Sequence, residues 1–311
     1  MPSTRTIRIG TRSSPMALHQ AEQVATALEA QEPGVATELV KITTSGDQWM
    51  GDLAALGGKG AFIREIDRAL AGGEVDLAVH CLKDIPGDVP APDGLMFAAY
   101  LPREDIRDAV ISRTGALLSE LPAGALVGTS SVRRGAQLRL HHPHLRIEPL
   151  RGNVNTRIMR LDAGHFDAII AAASGLHRVD QVHRITEILS PEMMCPAIGA
   201  GIIALQCRAG DDEILALVTP LGDNETTRHA IAERAMLHAL QGHCNSPIAG
   251  YATTEPSGKL TLRGKVFNLD ASRWLDSHHW GVPEDPAALG FFVGADLLRQ
   301  GARALIDSIA H

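Results

Sequence analysis

Cysteine is sparse in this 311-residue chain: Cys81, Cys195, Cys207 and Cys244 lie far apart and form no CxxC pair. That spacing offers neither a zinc ribbon nor a disulfide framework, so reduced thiols in a cytoplasmic setting are expected. No apolar run approaches membrane-spanning length. The opening Met-Pro-Ser-Thr-Arg-Thr runs straight into Ile7 to Gly10 without the zones of a signal peptide, so no export is expected. Histidines are plentiful, yet no HExxH pair occurs, and Pro143 among His141, His142 and His144 reads as a solvated turn; no metal is expected. A surplus of basic residues is missing too, and a formal charge of -7 argues against a nucleic-acid partner. What is present, 45% hydrophobic and 4% aromatic, suits a soluble globular chain with a substantial core and two domains or slightly more.

The charge is not spread evenly. Between Leu126 and Arg160 stand Arg133, Arg134, Arg139, Arg146, Arg151, Arg157 and Arg160 against a single acidic residue, Glu148. Such a concentration in an acidic protein calls for an anionic ligand.

Apolar, β-branched segments alternate with helical patterns through the first two-thirds, the signature of α/β units around parallel or mixed sheets. Strands are predicted near Ile7 to Gly10, Thr37 to Thr43, Val75 to Leu82, Leu126 to Thr129, Arg146 to Leu150 and Asp167 to Ala172. A helix begins near Pro15, with Ser13 or Ser14 as cap, and another spans about Gly60 to Ala71. Ile9-Gly-Thr-Arg-Ser-Ser14 echoes Val127-Gly-Thr-Ser-Ser131, each between a strand and a helix, which suggests two related halves. After Leu221 the pattern becomes α+β: a helix near Glu225 to Leu240, strands at Ala249 to Thr253 and Leu260 to Phe267 joined by a Pro256-Ser-Gly258 turn, and a long helix from Ala288 to Ile309.

Polar clusters follow the carboxyl ends of the predicted strands, where open α/β sheets bind ligands. They are Thr11-Arg-Ser13, Lys83-Asp84, Thr129 to Arg134, Arg151 to Arg157 and Ser174 to Arg178. The run Gly128 to Arg134 joins hydroxyl side chains, a helix N-terminus and two guanidinium forks, a combination suited to carboxylate or phosphate. Arg139, Arg146 and Arg160 read as solvated charges, whereas Arg133, Arg134, Arg151 and Arg157 read as ligand-binding. Cys244 lies in the Gly/Asn/Pro loop Gln241 to Pro247 after a helix, so its thiol is expected to be accessible; the other three cysteines read as buried structural residues.

These stretches resemble the porphobilinogen deaminase family. The resemblance is carried by Arg8-Ile-Gly-Thr-Arg-Ser-Ser-Pro15, Gly57-Gly-Lys-Gly60 with Phe62, Val79-His-Cys-Leu-Lys-Asp-Ile-Pro86, Arg103-Glu-Asp-Ile-Arg-Asp108, Gly128-Thr-Ser-Ser-Val-Arg-Arg134, Leu150-Arg-Gly-Asn-Val-Asn-Thr-Arg157, Ala232-Glu-Arg-Ala235 and the Cys244 loop. It implies two periplasmic-binding-protein-like α/β domains enclosing a cleft and a smaller α+β domain, with limits at 1–101 plus 199–221, 102–198 and 222–311. It implies a dipyrromethane cofactor held by a thioether to Cys244, and a monomer that condenses four porphobilinogens with loss of ammonia and releases hydroxymethylbilane. Asp84 then stabilises the cationic azafulvene left when ammonia departs. Lys83, Ser131, Arg133 and Arg134 hold cofactor carboxylates; Arg12, Arg151, Arg157 and Arg178 meet substrate or growing product; and Lys59 belongs to a mobile active-site flap.

Ala55, Ala200, His243 and Cys81 depart from the family's usual basic residue, glutamine, glycine and serine, which bears on elongation and cleft hydration. Two rivals compete with the family's chemistry. A non-catalytic binder of anions would use the same arginine-lined cleft, and in its usual periplasmic form would carry an export signal. A thiol hydrolase would pair Cys244 with His243, although chain neighbours rarely face one another productively. An alkylatable Cys244 would favour the hydrolase, and a capped one would not.

Overall fold

The computed structural model describes residues 5–49, 60–87, 90–242 and 246–308. The chain opens with β1 (Arg5–Arg12), α1 (Pro15–Gln31) and β2 (Val35–Ile42), a right-sized βαβ unit in which β1 and β2 pair in parallel. Helix α1 starts where the sequence places it: the Ser14 hydroxyl accepts from the Ala17 amide, and Pro15 occupies the first turn, where its missing N–H costs nothing. A one-turn α2 (Ser45–Gln48), α3 (Arg64–Ala71), β3 (Leu77–Cys81) and β4 (Leu95–Tyr100) complete this stretch.

The chain then builds a second sheet from β5 (Asp108–Ser112), β6 (Leu126–Gly128), α4 (Val132–His141), β7 (Arg146–Glu148), α5 (Val154–Asp162), β8 (Ala168–Ala172), α6 (Ala173–Arg178) and β9 (Glu187–Ile188). It returns with β10 (Ile203–Arg208), which lies between β3 and β4 and antiparallel to both. The sheets have orders β2-β1-β3-β10-β4 and β7-β6-β8-β5-β9. These are the same pattern twice: three parallel strands, then an antiparallel strand contributed by the crossover, then an edge. The short sequence echo at Ile9 and Val127 therefore marks equivalent positions, the ends of β1 and β6, with Ser14 and Ser131 capping equivalent helices.

Each sheet is covered by its own helices. Ile7, Ile9, Leu77, Val79 and Leu205 pack with Val24 and Leu28 of α1, and Val127, Ala168 and Ile170 pack with Leu138 of α4. Strands buried on both faces read as continuous apolar runs, which is why β3 and β8 are legible in the sequence, whereas β1 alternates, with Ile7 and Ile9 inside and Thr6 and Arg8 toward solvent.

After α7 (Asp212–Val218) comes α8 (Asn224–Ala239), then the antiparallel sheet β11 (Ile248–Thr254), β12 (Leu260–Phe267) and β13 (Trp274–Gly281), then α9 (Pro286–Arg299) and α10 (Ala302–Asp307). The long terminal helix expected from Ala288 onward is in fact two. It breaks at Gly301, which takes φ 103°, a left-handed conformation that ends α9. Helices α8 and α9 approach so closely that a Cβ on Gly290 would lie 2.2 Å from the Ala232 carbonyl oxygen. Among the described residues no helix is long and apolar enough to cross a membrane.

Candidate active site

The described site begins at the carboxyl ends of β1 and β3. Arg12 is the last residue of β1, and a tight 3₁₀ turn over Leu82–Asp84 follows β3 directly, so the two strands, which pair in parallel, deliver Arg12 and Asp84 to one spot. Arg12 Nη1 stands 3.5 Å from Asp84 Oδ2. Arg12, Ser14, Met16, Gln20, Phe62, His80, Cys81 and Asp84 line a common pocket. Lys83, on the same turn, is half-buried.

The pocket has features that the sequence did not announce. Asp47 of α2 accepts from Arg12 Nε at 3.2 Å through each oxygen and from Nη2 at 2.5 Å. The Arg12 guanidinium also lies over the Phe62 ring, 4.2 Å from its centroid. His80 is buried and its Nε2 lies 2.9 Å from Gln206 Oε1 on β10; burial, only partly offset by Gln206 and Asp84, pushes its pKa from 6.5 down to about 4, so the ring is neutral.

The second sheet brings its arginines to the matching strand ends. Arg133 and Arg134 open α4, capped by Ser131, whose hydroxyl accepts from the Arg134 amide. Both guanidiniums are buried and both hold Asp108 at the start of β5: Arg133 Nη2 at 2.7 Å, Arg134 Nε at 3.0 Å and Nη2 at 2.7 Å. Burial disfavours the Asp108 carboxylate, but the two cations and their hydrogen bonds outweigh it and hold the group well below the usual carboxylate range. Arg133 also donates to the Cys195 carbonyl. The pair is thus tied into the protein interior, a second partner that the arginine count alone did not reveal.

Arg157 of α5 has no acidic partner among the described residues, and its Nε donates to the Gly152 carbonyl at 2.8 Å. Burial, reinforced by the neighbouring cations Arg134 and Arg151, pushes it down from 12.5 to about 10. Such crowding of like charge is relieved by an anion placed among the three guanidiniums. The Ser130 hydroxyl nearby in sequence is buried and has no hydrogen-bond partner among the described residues. These are the features a carboxylate-rich ligand would complete, so the residues fit a dipyrrole bearing acidic side chains.

Arg178 ends α6 and bridges the two halves. Its Nη2 is 2.8 Å from Glu104 Oε2, and its Nη1 lies 3.9 Å from the Cys81 sulfur at the end of β3. Cys81 in turn accepts from the buried Gln20 amide at 3.0 Å. The Arg12–Asp84 pocket and Arg178 therefore share one wall, whereas Arg133, Arg134, Arg151 and Arg157 form a cluster on the second sheet. Ala200 is buried, and its carbonyl accepts from Arg103. Lys59, Ala55, His243 and Cys244 lie outside the described residues.

The comparisons with known proteins agree along the whole chain. Residues 7–216 match the family described as "Porphobilinogen deaminase, dipyromethane cofactor binding domain", and residues 227–299 match "Porphobilinogen deaminase, C-terminal domain". A relative named porphobilinogen deaminase 2 from Streptomyces coelicolor is 55% identical over 100% of this chain and 99% of its own length. The porphobilinogen deaminase of Acidithiobacillus ferrooxidans is 46% identical over 98% of both chains. Among solved structures, a periplasmic substrate-binding protein of an ABC transporter from Coxiella burnetii is 14% identical, with a TM-score of 0.44 over 69% of this chain and 91% of that one. By its two matched family regions and its full-length relatives, this chain belongs to the porphobilinogen deaminase family.

Proposed function

We propose that the protein is a porphobilinogen deaminase that joins four porphobilinogens head to tail with loss of ammonia and releases hydroxymethylbilane by hydrolysis, on a dipyrromethane cofactor linked to Cys244. The observation that carries this reading is the pairing, at equivalent strand ends of two like sheets, of a carboxylate beside Arg12 with a crowd of arginines in which Arg157 is pushed down to about 10. A lone anion binder needs the arginines but has no use for Asp84; a tetrapyrrole builder needs both.

Bound dipyrromethane supplies a covalently tethered pyrrole to which the first substrate is joined. The protein's own residues do the rest. Arg134, Arg151 and Arg157, with Lys83 and Ser131, neutralise acetate and propionate groups that would otherwise be costly to desolvate. Arg133 and Arg134 are both anchored on Asp108, which fixes them at the start of α4 for the cofactor's carboxylates. Arg12 and Arg178 meet the carboxylates of incoming substrate or product. Asp84 lowers the barrier by offering negative charge where positive charge develops as ammonia departs, and by accepting pyrrole N–H bonds. Lys59, outside the described residues, is assigned to the substrate by the family resemblance alone.

The same reading divides the chain at 1–101 plus 199–221, 102–198 and 222–311, and makes it a cytoplasmic monomer with no nucleic-acid or membrane partner. Free thiols at Cys81, Cys195 and Cys207 accord with a reducing compartment. Intact mass of the purified protein tests the proposal: an excess equal to two linked pyrrole units, absent from Cys244→Ala and mapped to the Cys244 peptide, is expected. An unmodified, freely alkylatable Cys244 in active protein would overturn it.

A further inference from the structure

Arg12 is not waiting open for a ligand. Its Nε and Nη2 edge, the fork that best matches a carboxylate, is filled by Asp47 through three contacts of 3.2, 3.2 and 2.5 Å, while Nη1 faces Asp84. Asp47 is itself held in place, since the buried Thr44 donates its hydroxyl to Asp47 Oδ2 at 2.8 Å and accepts from the Asp47 amide. The side chains of Arg12 and Asp47 keep only 23% and 18% exposure, so the pair is shielded from full solvent screening. The Phe62 face beneath the guanidinium fixes its plane and leaves it few other orientations.

We propose that Asp47 is an internal carboxylate that occupies the substrate-carboxylate position on Arg12 and must be displaced by the acidic side chain of each incoming pyrrole. This rests on the assignment of Arg12 to substrate recognition. The physical consequence is a tax on binding: the apparent affinity is the intrinsic one multiplied by the fraction of time that the Arg12 fork is free of Asp47. Asp47 thereby sets a threshold. A ligand with one weakly placed carboxylate does not displace it, whereas a substrate that brings a second carboxylate and pyrrole N–H donors for Asp84 does. Between turnovers the same contact neutralises Arg12 and keeps the cleft from holding simple anions. A pair in which Asp47 instead held Arg12 in its productive rotamer would assist binding. The two differ in the sign of one measurement.

That measurement is steady-state kinetics of ammonia release on dipyrrole-loaded Asp47→Asn, with inhibition by a pyrrole dicarboxylate lacking the aminomethyl group. If Asp47 competes, KM and the inhibition constant both fall, by roughly fivefold for removal of one partly buried competing charge. Inhibition by plain acetate becomes measurable at lower concentration as well. Should KM and the inhibition constant rise or stay level, Asp47 positions Arg12 or is a bystander, and the proposal fails. Thr44→Val removes the hydroxyl that braces Asp47 and gives a smaller change of the same sign, which keeps the test decisive if the Asn variant folds poorly. In an Arg12→Gln background the Asp47→Asn effect must vanish; persistence there overturns the proposal. Failure of the wider reading looks different: the unsubstituted protein would then carry no dipyrrole mass and release no ammonia at all.

Discussion

At the scale of single residues the site separates groups that stabilise charge from groups that carry it in. Asp84 acts on a cation that exists only near the transition state, so Asp84→Asn, which keeps shape and loses charge, is expected to lower kcat and spare binding. A well-placed electrostatic group is worth about 3–4 kcal/mol, so kcat should fall about a hundredfold or more, with the dipyrrole still attached and KM changed far less. Near-normal kcat in holo-protein would reduce Asp84 to a surface carboxylate next to Lys83. The arginines divide by position. Arg133 and Arg134 are bonded to the buried Asp108, and each charge-assisted contact of this kind contributes about 1.5–3 kcal/mol. Replacing either with Gln is therefore expected to lower the melting temperature and cofactor content together, because Asp108 is left short of a partner. Arg12→Gln and Arg178→Gln should retain the dipyrrole mass and raise KM. Equal loss of cofactor across all four, read by intact mass, would show that the division of roles is wrong.

Elements explain why some of this was legible in the sequence and some was not. Strands β3, β6 and β8 announce themselves as apolar runs and β1 as an alternating one, each followed by a polar cluster, which makes Arg12, Lys83, Asp84, Ser131 and Arg178 legible. Strands β4, β5, β9, β10 and β13 were not anticipated: β9 has two residues, and β10 is interrupted by Gln206, a polar residue kept inside by His80 on the neighbouring strand and by Asp67. Partners such as Asp47, Glu104 and Asp108 were invisible for a related reason. Asp47 meets Arg12 across 35 residues, and Glu104 meets Arg178 across 74, distances that only the assembled sheets close. The stretch Arg103 to Asp108 holds two of these partners without any local sign of their role. In the C-terminal unit the close α8–α9 crossing makes a prediction of its own. Any side chain at Gly290 strikes the Ala232 carbonyl and the Ala235 methyl, so Gly290→Ala should cost about 1–3 kcal/mol by overpacking. Because Cys244 follows α8 in the chain, the variant should also load less cofactor at 37 °C. An unchanged melting temperature would mean that the helices separate without penalty.

For the whole molecule, buried titratable groups govern the response to acid, and two of them, Asp108 and His80, act in different ranges. Asp108 ionises in the folded state well below its ordinary 3.8, so the stability it provides is complete above that value and lost only in strong acid. His80 acts sooner. Its pKa falls from 6.5 to about 4 on folding, so above 6.5 both folded and unfolded chains hold it neutral and it exerts no pH effect. As pH drops below 6.5 the unfolded chain takes up a proton that the folded chain refuses, and stability declines until about pH 4, where the folded ring is protonated too. The difference amounts to about 2 kcal/mol by pH 5 and roughly 3 kcal/mol at the limit. Thermal melts of the wild type from pH 7.5 to pH 5 should therefore slope downward by several degrees. His80→Gln, neutral at every pH, should melt lower than wild type at pH 7.5 because its bond to Gln206 is disturbed, yet show a distinctly shallower decline toward pH 5. Parallel slopes in the two proteins would mean that His80 titrates normally and that acid sensitivity arises elsewhere. His80 lines the Arg12–Asp84 pocket, yet the folded chain keeps its ring neutral down to about pH 4, so below the melting transition the kcat of variant and wild type should change in parallel from pH 6.5 to 5 while their stabilities diverge.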